Sequence, residues 1–239
     1  LKGGYPKIHK EKIPISNAYS SYIQTYVERD IRQILQVKDL LQFERFLKLI
    51  ASRVGQLINY SSLSVDVGVS ATTIREWVSL LEATYIIFRL EPYYENFGKR
   101  SIKSPKLYFT DTGIACYLLG IENTAQPLKD PYYGNLYENW ILLELMKYKY
   151  NTANEPHFYF YRDTAGKEID LIIQKGSELF PVEIKSSKTY SSSYLSMLKY
   201  LRKEIPHRVK GGAIIYKGEK TQKLKEFALI TAENCTKIF

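Results

Sequence analysis

The sequence predicts an α+β protein of two regions. A helical region with a winged helix-turn-helix spans 1–125, and an α/β region with a mixed sheet spans 126–239. Three observations predict this. Apolar residues recur at helical spacing from residue 17 to about 81. Two strand-like runs, 84–90 and 104–111, bracket the loop 91–103 as in a wing. Beyond a polar stretch with two prolines (121–133), the segments run α-β-β-β-α-β, the order of a sheet flanked by helices.

Residues 1–15 carry Gly3, Gly4, Pro6 and Pro14 and read as an extended lead-in. A helix is expected from Asn17 to about Leu35, with Tyr22, Tyr26, Val27, Ile31 and Ile34 on one stripe. A second amphipathic helix, 40–58, faces Phe43, Phe46, Leu47, Ile50 and Val54 inward. Ser61 or Ser62 caps a short helix ending near Val67, and Gly68 supplies a turn. Ser70 caps the next helix, which buries Ile74, Trp77, Val78 and Leu81. Short helix, glycine turn and longer helix is the pattern of a helix-turn-helix. Asp111 caps a helix that Gly120 ends. In the second region, 134–150 is an apolar helix. Strands are expected at 157–162, 168–174 and 179–185, then a helix at 191–204 and strands at 211–217 and 227–231.

Composition narrows the chemistry. The chain has 239 residues and a formal net charge of +9, which favours an acidic partner, nucleic acid being the usual one. Four cations and no acid occupy 98–106: Lys99, Arg100, Lys103 and Lys106. Eight cations and two acids occupy 202–225. Lone Cys116 and Cys235 and three scattered histidines argue against a zinc site or a Ser-His triad. Reduced thiols and the absence of a signal or spanning segment suggest a cytoplasmic protein without a membrane partner. No G-x4-G-K-[ST] occurs, so this sequence holds no P-loop.

The stretch "EIDLIIQKGSELFPVEIKSS" (168–187) raises the sharpest question, because two apolar strands carry Asp170, Glu183 and Lys185. A charge within a sheet is costly unless paired, solvated or bound to metal. Glu183 and Lys185, two apart, share a face. Carboxylates gathered at the mouth of a sheet can hold Mg2+ or Mn2+, and a lysine beside them can stabilise negative charge on a phosphate. The ordinary alternatives are a solvated strand face for Asp170 and a cross-sheet ion pair for Glu183 and Lys185. For Glu138, the alternative is a first-turn acid on a helix. Glu168, two residues before Asp170 on the same face, is the candidate to substitute or assist.

That order of elements, with Asp170 on the second strand, Glu183-x-Lys185 on the third and Glu138 on the preceding helix, resembles the PD-(D/E)XK nuclease fold of restriction endonucleases and Holliday junction resolvases. Ile169 stands where the motif has proline. The resemblance implies a metal-dependent DNA endonuclease site with Asp170 and Glu183 on the metal, Lys185 electrostatic and Glu138 an outer ligand. A degenerate, non-catalytic interaction module is the alternative.

A wider set of segments runs from "GGYP" (3–6), "YVERDI" (26–31) and "GVSATTIREW" (68–77) through "KRSIKSPKLYFTDTGI" (99–114) and "YEN" (137–139) to "KEIDLII" and "VEIKSS" (167–187). It resembles the C-terminal half of a prokaryotic AAA-type P-loop ATPase family whose C-terminal domain has unknown function. This resemblance implies a partner ATPase domain encoded upstream of Leu1, through which ATP would act.

Binding to duplex or branched DNA is expected through Lys99, Arg100, Lys103 and Lys106, with Arg75 on the helix-turn-helix as a further candidate; one Arg beside Glu76 is a poor base-reading set, and the favoured reading of that module is packing against a partner or the ATPase domain. Such binding should weaken steeply with salt as counterions are released. Replacing Lys99, Arg100 and Lys103 by Ala should flatten the salt slope by about one unit per lost contact, read from binding isotherms at several salt concentrations. An unchanged slope would remove this surface from consideration.

Overall fold

The computed structural model describes residues 2–11, 13–31, 40–93, 103–121 and 131–239. The chain forms two compact units: Leu1–Arg89 with Leu107–Leu136, and Leu90–Lys106 with Tyr137–Phe239. It is a mixed α+β protein, and its described residues form one eight-stranded sheet.

The first unit is helical at its start. A short helix, α1 (Pro6–Lys10), replaces the expected extended lead-in, with Pro6 at its first position, where a missing N–H costs nothing. Next comes α2 (Ile15–Thr25), which continues as a π-helical segment, Tyr26–Ile31. Residues 32–35 of the expected helix lie outside the described residues. In α3 (Leu40–Ser52), Phe43, Phe46, Leu47 and Ile50 are buried as their spacing predicts. The helix stops at Ser52 rather than near 58. Gly55 adopts φ 72°, a left-handed conformation that glycine takes readily. Its N–H then donates to the Leu107 carbonyl, while Leu107 N–H donates to Gln56.

Asn59, rather than Ser61 or Ser62, caps α4 (Tyr60–Val67) by accepting from Ser62 N–H. Gly68 turns the chain at φ 84°. Ser70 then caps α5 (Ala71–Ala83) by accepting from Thr73 N–H, as expected. Trp77 of α5 meets Phe43 and Phe46 with ring centroids 5.1 and 5.3 Å apart.

Two strands follow, β1 (Ile87–Pro92) and β2 (Lys106–Phe109), within two or three residues of the expected bounds. Residues 94–102 of the expected wing loop, with Lys99 and Arg100, lie outside the described residues. Asp111 caps α6 (Thr112–Leu118), accepting from the N–H groups of Gly113 and Ile114. The same carboxylate accepts from Tyr19 Oη at 2.7 Å and Gly4 N–H at 2.5 Å. This buried node ties the "GGYP" segment to the start of α6.

The second unit contains most of α7 (Tyr133–Asn151), which carries Glu138, and the strands β3 (Phe158–Arg162), β4 (Glu168–Lys175) and β5 (Glu178–Lys185). A 3-10 turn (Ser192–Leu195) leads into α8 (Ser196–Glu204). Then come β6 (Gly212–Tyr216), β7 (Gln222–Leu224), β8 (Phe227–Thr231) and a closing 3-10 segment, Ala232–Ile238. The short β7 and the closing turns are additions to the expected pattern. The strand order is β2-β1-β3-β4-β5-β6-β8-β7. β5 is central, antiparallel to β4 and parallel to β6. On one face Ile172, Leu179, Ile214 and Leu229 join Leu198 and Leu201 of α8 in a single apolar cluster. Among the described residues no helix is long and apolar enough to cross a membrane.

Candidate functional site

Register places the charges. β4 and β5 pair from Lys175↔Glu178 to Leu171↔Val182, and there the pairing ends. Asp170 and Glu183 would form the next pair. Instead β5 runs on beside β6 through Glu183↔Ile214 and Lys185↔Tyr216. Asp170 Oδ2 accepts from Ile184 N–H at 2.7 Å, so the carboxylate replaces the lost strand partner. Alternation puts Asp170, Glu183 and Lys185 on one face, the face of Ile172 and Leu179. The strands part where the charges begin.

The three side chains converge. Lys185 Nζ lies 2.5 Å from Glu183 Oε1 and 3.4 Å from Asp170 Oδ2. Both carboxylates are buried, at 8% exposure. Glu183 Oε2 is buried and has no hydrogen-bond partner. Burial, then the neighbouring Asp170 charge, pushes the Glu183 carboxyl up to about 8; Lys185 works against this shift, and Glu138 adds to it. Burial also opposes the Lys185 ammonium, but the charges of Asp170 and then Glu183 outweigh it and hold its proton above the ordinary lysine range.

A second buried cluster adjoins the first. Lys106, at 2% exposure, lies 3.1 Å from Glu138 Oε1 and 2.6 Å from Glu168 Oε1. Its ammonium also sits 5.5 Å from the centre of the Phe160 ring. Glu168 carries a second cation, Arg162, at 3.1 Å. Lys106 is therefore an internal counter-ion, which corrects its expected place among exposed phosphate contacts. Glu138 and Glu168 are engaged with Lys106 rather than gathered around Asp170. Of the other expected DNA contacts, Lys103 and Arg75 are exposed, and the Arg75 guanidinium lies 5.0 Å from the Tyr60 ring centre.

A divalent ion would find hard carboxylate oxygens here, one of them buried and without a partner. Among the described residues no three His, Cys, Asp or Glu side chains group to hold a metal ion. The pair Asp170 and Glu183 is what the site offers, a set that fits Mg2+, which is commonly held by one or two carboxylates and retains its waters.

Comparison with known proteins gives the chain a family. The family model described as a domain of unknown function, DUF8612, matches residues 1–125, more than half of the sequence. The chain belongs to the DUF8612 family. In this DUF8612 protein a second model, also a domain of unknown function (DUF4143), matches residues 133–235 and so includes Glu138, Asp170, Glu183 and Lys185. Uncharacterized proteins of Mycobacterium tuberculosis and Mycobacterium bovis are each 30% identical to it over 221 residues. That is 92% of this chain and 48% of theirs. An uncharacterized protein of Haemophilus influenzae is 28% identical over 189 residues, 76% of this chain and 44% of its own. The DUF8612 chain thus spans about half the length of the curated relatives it matches.

Proposed function

We propose that the second unit is a PD-(D/E)XK nuclease-like module that binds DNA and acts on its phosphodiester backbone with a divalent cation. The observation that carries this reading is the meeting of Asp170 and Glu183, from two diverging strands, at one lysine ammonium, with Glu183 Oε2 buried and without a partner. Asp170 and Glu183 would hold Mg2+ or Mn2+. When bound, such an ion polarises a phosphate and makes a water more acidic. Lys185, placed between the carboxylates, is positioned to turn its ammonium toward a phosphate oxygen. The first unit, with its helix, glycine turn, helix and strand pair, reads as a winged helix. The match to about half the length of longer relatives supports a chain that works within a larger protein. By the sequence resemblance this would be a prokaryotic ATPase, with ATP bound elsewhere in it.

A second reading has its own observation. Lys185 already sits where a cation would lie, as in a nuclease-like fold that has lost metal chemistry and serves as an interaction module.

Thermal unfolding with millimolar Mn2+ separates the two. A ligand that binds only the folded state raises the melting temperature by mass action. The parent should gain stability, and Asp170→Asn and Glu183→Gln should lose the gain. Lys185→Ala should keep the gain but abolish metal-dependent nicking of plasmid DNA. No Mn2+ effect in the parent would sink the metal reading and favour the interaction module, whereas a gain without nicking would keep the metal site and sink the nuclease activity.

A further inference from the structure

We propose that the loops after β5 and β6 form one lip that holds DNA phosphates beside the Asp170–Glu183–Lys185 site, through the ammonium groups of Lys188 and Lys220. The proposal rests on the DNA-binding reading given above and names the surface that would carry it.

β5 and β6 run parallel and end together, with Lys185 paired to Tyr216. The carboxyl ends of such strands are where open α/β sheets gather their ligands. Here the two loops that follow are bonded to one another. Lys217 N–H lies 3.2 Å from both the Lys185 and the Ser187 carbonyl oxygens. Gly218 packs where a side chain would collide: an added methyl would overlap the Tyr216 ring and lie 2.6 Å from the Lys188 carbonyl oxygen. Buried Tyr216 also clamps Lys220. Its Oη donates to the Lys220 carbonyl at 2.8 Å and accepts from Lys220 N–H at 3.2 Å. In the other loop, Ser187 Oγ donates to the Thr189 carbonyl at 3.0 Å and accepts from Thr189 N–H at 3.1 Å. The backbone of the lip is thus fixed, while Lys188 and Lys220 are exposed. Among the described residues neither ammonium is in an ion pair. The lip carries Lys188, Lys217 and Lys220 against one acid, Glu219. Lys188 follows Lys185 by three residues, a reach of at most about 11 Å along the chain. A phosphate backbone lying against the carboxylates would therefore meet the lip next. Other cations of 202–225 are placed differently: Arg202 pairs with Glu226, Arg208 donates to the Ser177 carbonyl, and Lys210 lies before β6, at the opposite end of that strand.

The test compares binding of a labelled DNA duplex, without metal and at several salt concentrations, for the parent and three double variants. Lys188→Gln with Lys220→Gln removes both lip charges. Lys188→Arg with Lys220→Arg keeps them. Lys203→Gln with Lys210→Gln removes the same charge from the segment preceding β6. Each phosphate contact contributes about one unit to the slope of log affinity against log salt, so the lip Gln variant should be flatter by about two units. The Arg variant and the Lys203–Lys210 variant should keep the parental slope. A parental slope in the lip Gln variant overturns the proposal, and so does an equal flattening in the Lys203–Lys210 variant, which would mean a diffuse charge effect. Mn2+-dependent melting is followed alongside. A flattened slope with no Mn2+ effect in the parent sinks the metal reading and leaves the lip standing. A parent that binds no DNA overturns both the lip and the DNA-binding reading.

Discussion

Replacing Gly113 by alanine should cost the protein about 3 kcal/mol or more, read as a shift in urea midpoint. A methyl group at this position would overlap the hydroxyl and ring of Tyr19. Tyr19 is 1% exposed and cannot swing away. Overpacking of this kind costs about 1–3 kcal/mol. Displacing the ring also breaks its bond to Asp111, and a hydrogen bond to a charged group contributes about 1.5–3 kcal/mol. Gly68→Ala is the control. Its φ of 84° is left-handed, but nothing lies within 4 Å of an added methyl. That variant should lose only about 1–2 kcal/mol, the cost of holding alanine in that conformation. Equal losses in the two variants would show that the Tyr19–Asp111 node is not tightly packed.

Glu183→Gln should remove a pH dependence of stability. The Glu183 carboxyl, ordinarily near 4.5, is pushed up to about 8 in the folded state by burial and then by Asp170. Between these values the folded chain holds a proton that the unfolded chain has released. Stability therefore falls as pH rises from 4.5 to about 8 and levels off above. Each tenfold difference in proton affinity between the two states is worth about 1.4 kcal/mol, so the drop is on the order of a few kcal/mol. Unfolding free energies measured across this range should slope downward in the parent and lie flatter in the Gln variant. Parallel curves would assign the slope to other groups.

The strands are legible in the sequence because alternation is local: Asp170, Glu183 and Lys185 declare themselves as charges in apolar runs. Their convergence follows from the register of β4 and β5, which the turn at Gly176 largely sets. The end of α3 is less legible. Val54 continues the apolar stripe past Ser52, and Gly55 signals the break only if it outweighs that stripe. At the next helix, Asn59, Ser61 and Ser62 are all good caps, and sequence alone offers no way to rank them. The role of Lys106 is hidden because its neighbours in sequence, Lys99, Arg100 and Lys103, make a cationic surface the natural reading. Its partners, Glu138 and Glu168, lie 32 and 62 positions away and meet it only in the folded chain. A lysine directly followed by the apolar run "LYF" at the start of a strand is the available clue.

The stretch Leu90–Lys106 belongs to the second unit, which has a consequence for inheritance. The DUF4143 match begins at residue 133, after this stretch has passed. A genetic exchange between the two matched regions would deliver Glu138 and Glu168 to a recipient without the lysine that both of them contact. Lys106 and its two acidic partners thus come from different family matches while lying in one compact unit. A lineage that exchanges one match alone would leave this buried ion cluster with an altered charge balance.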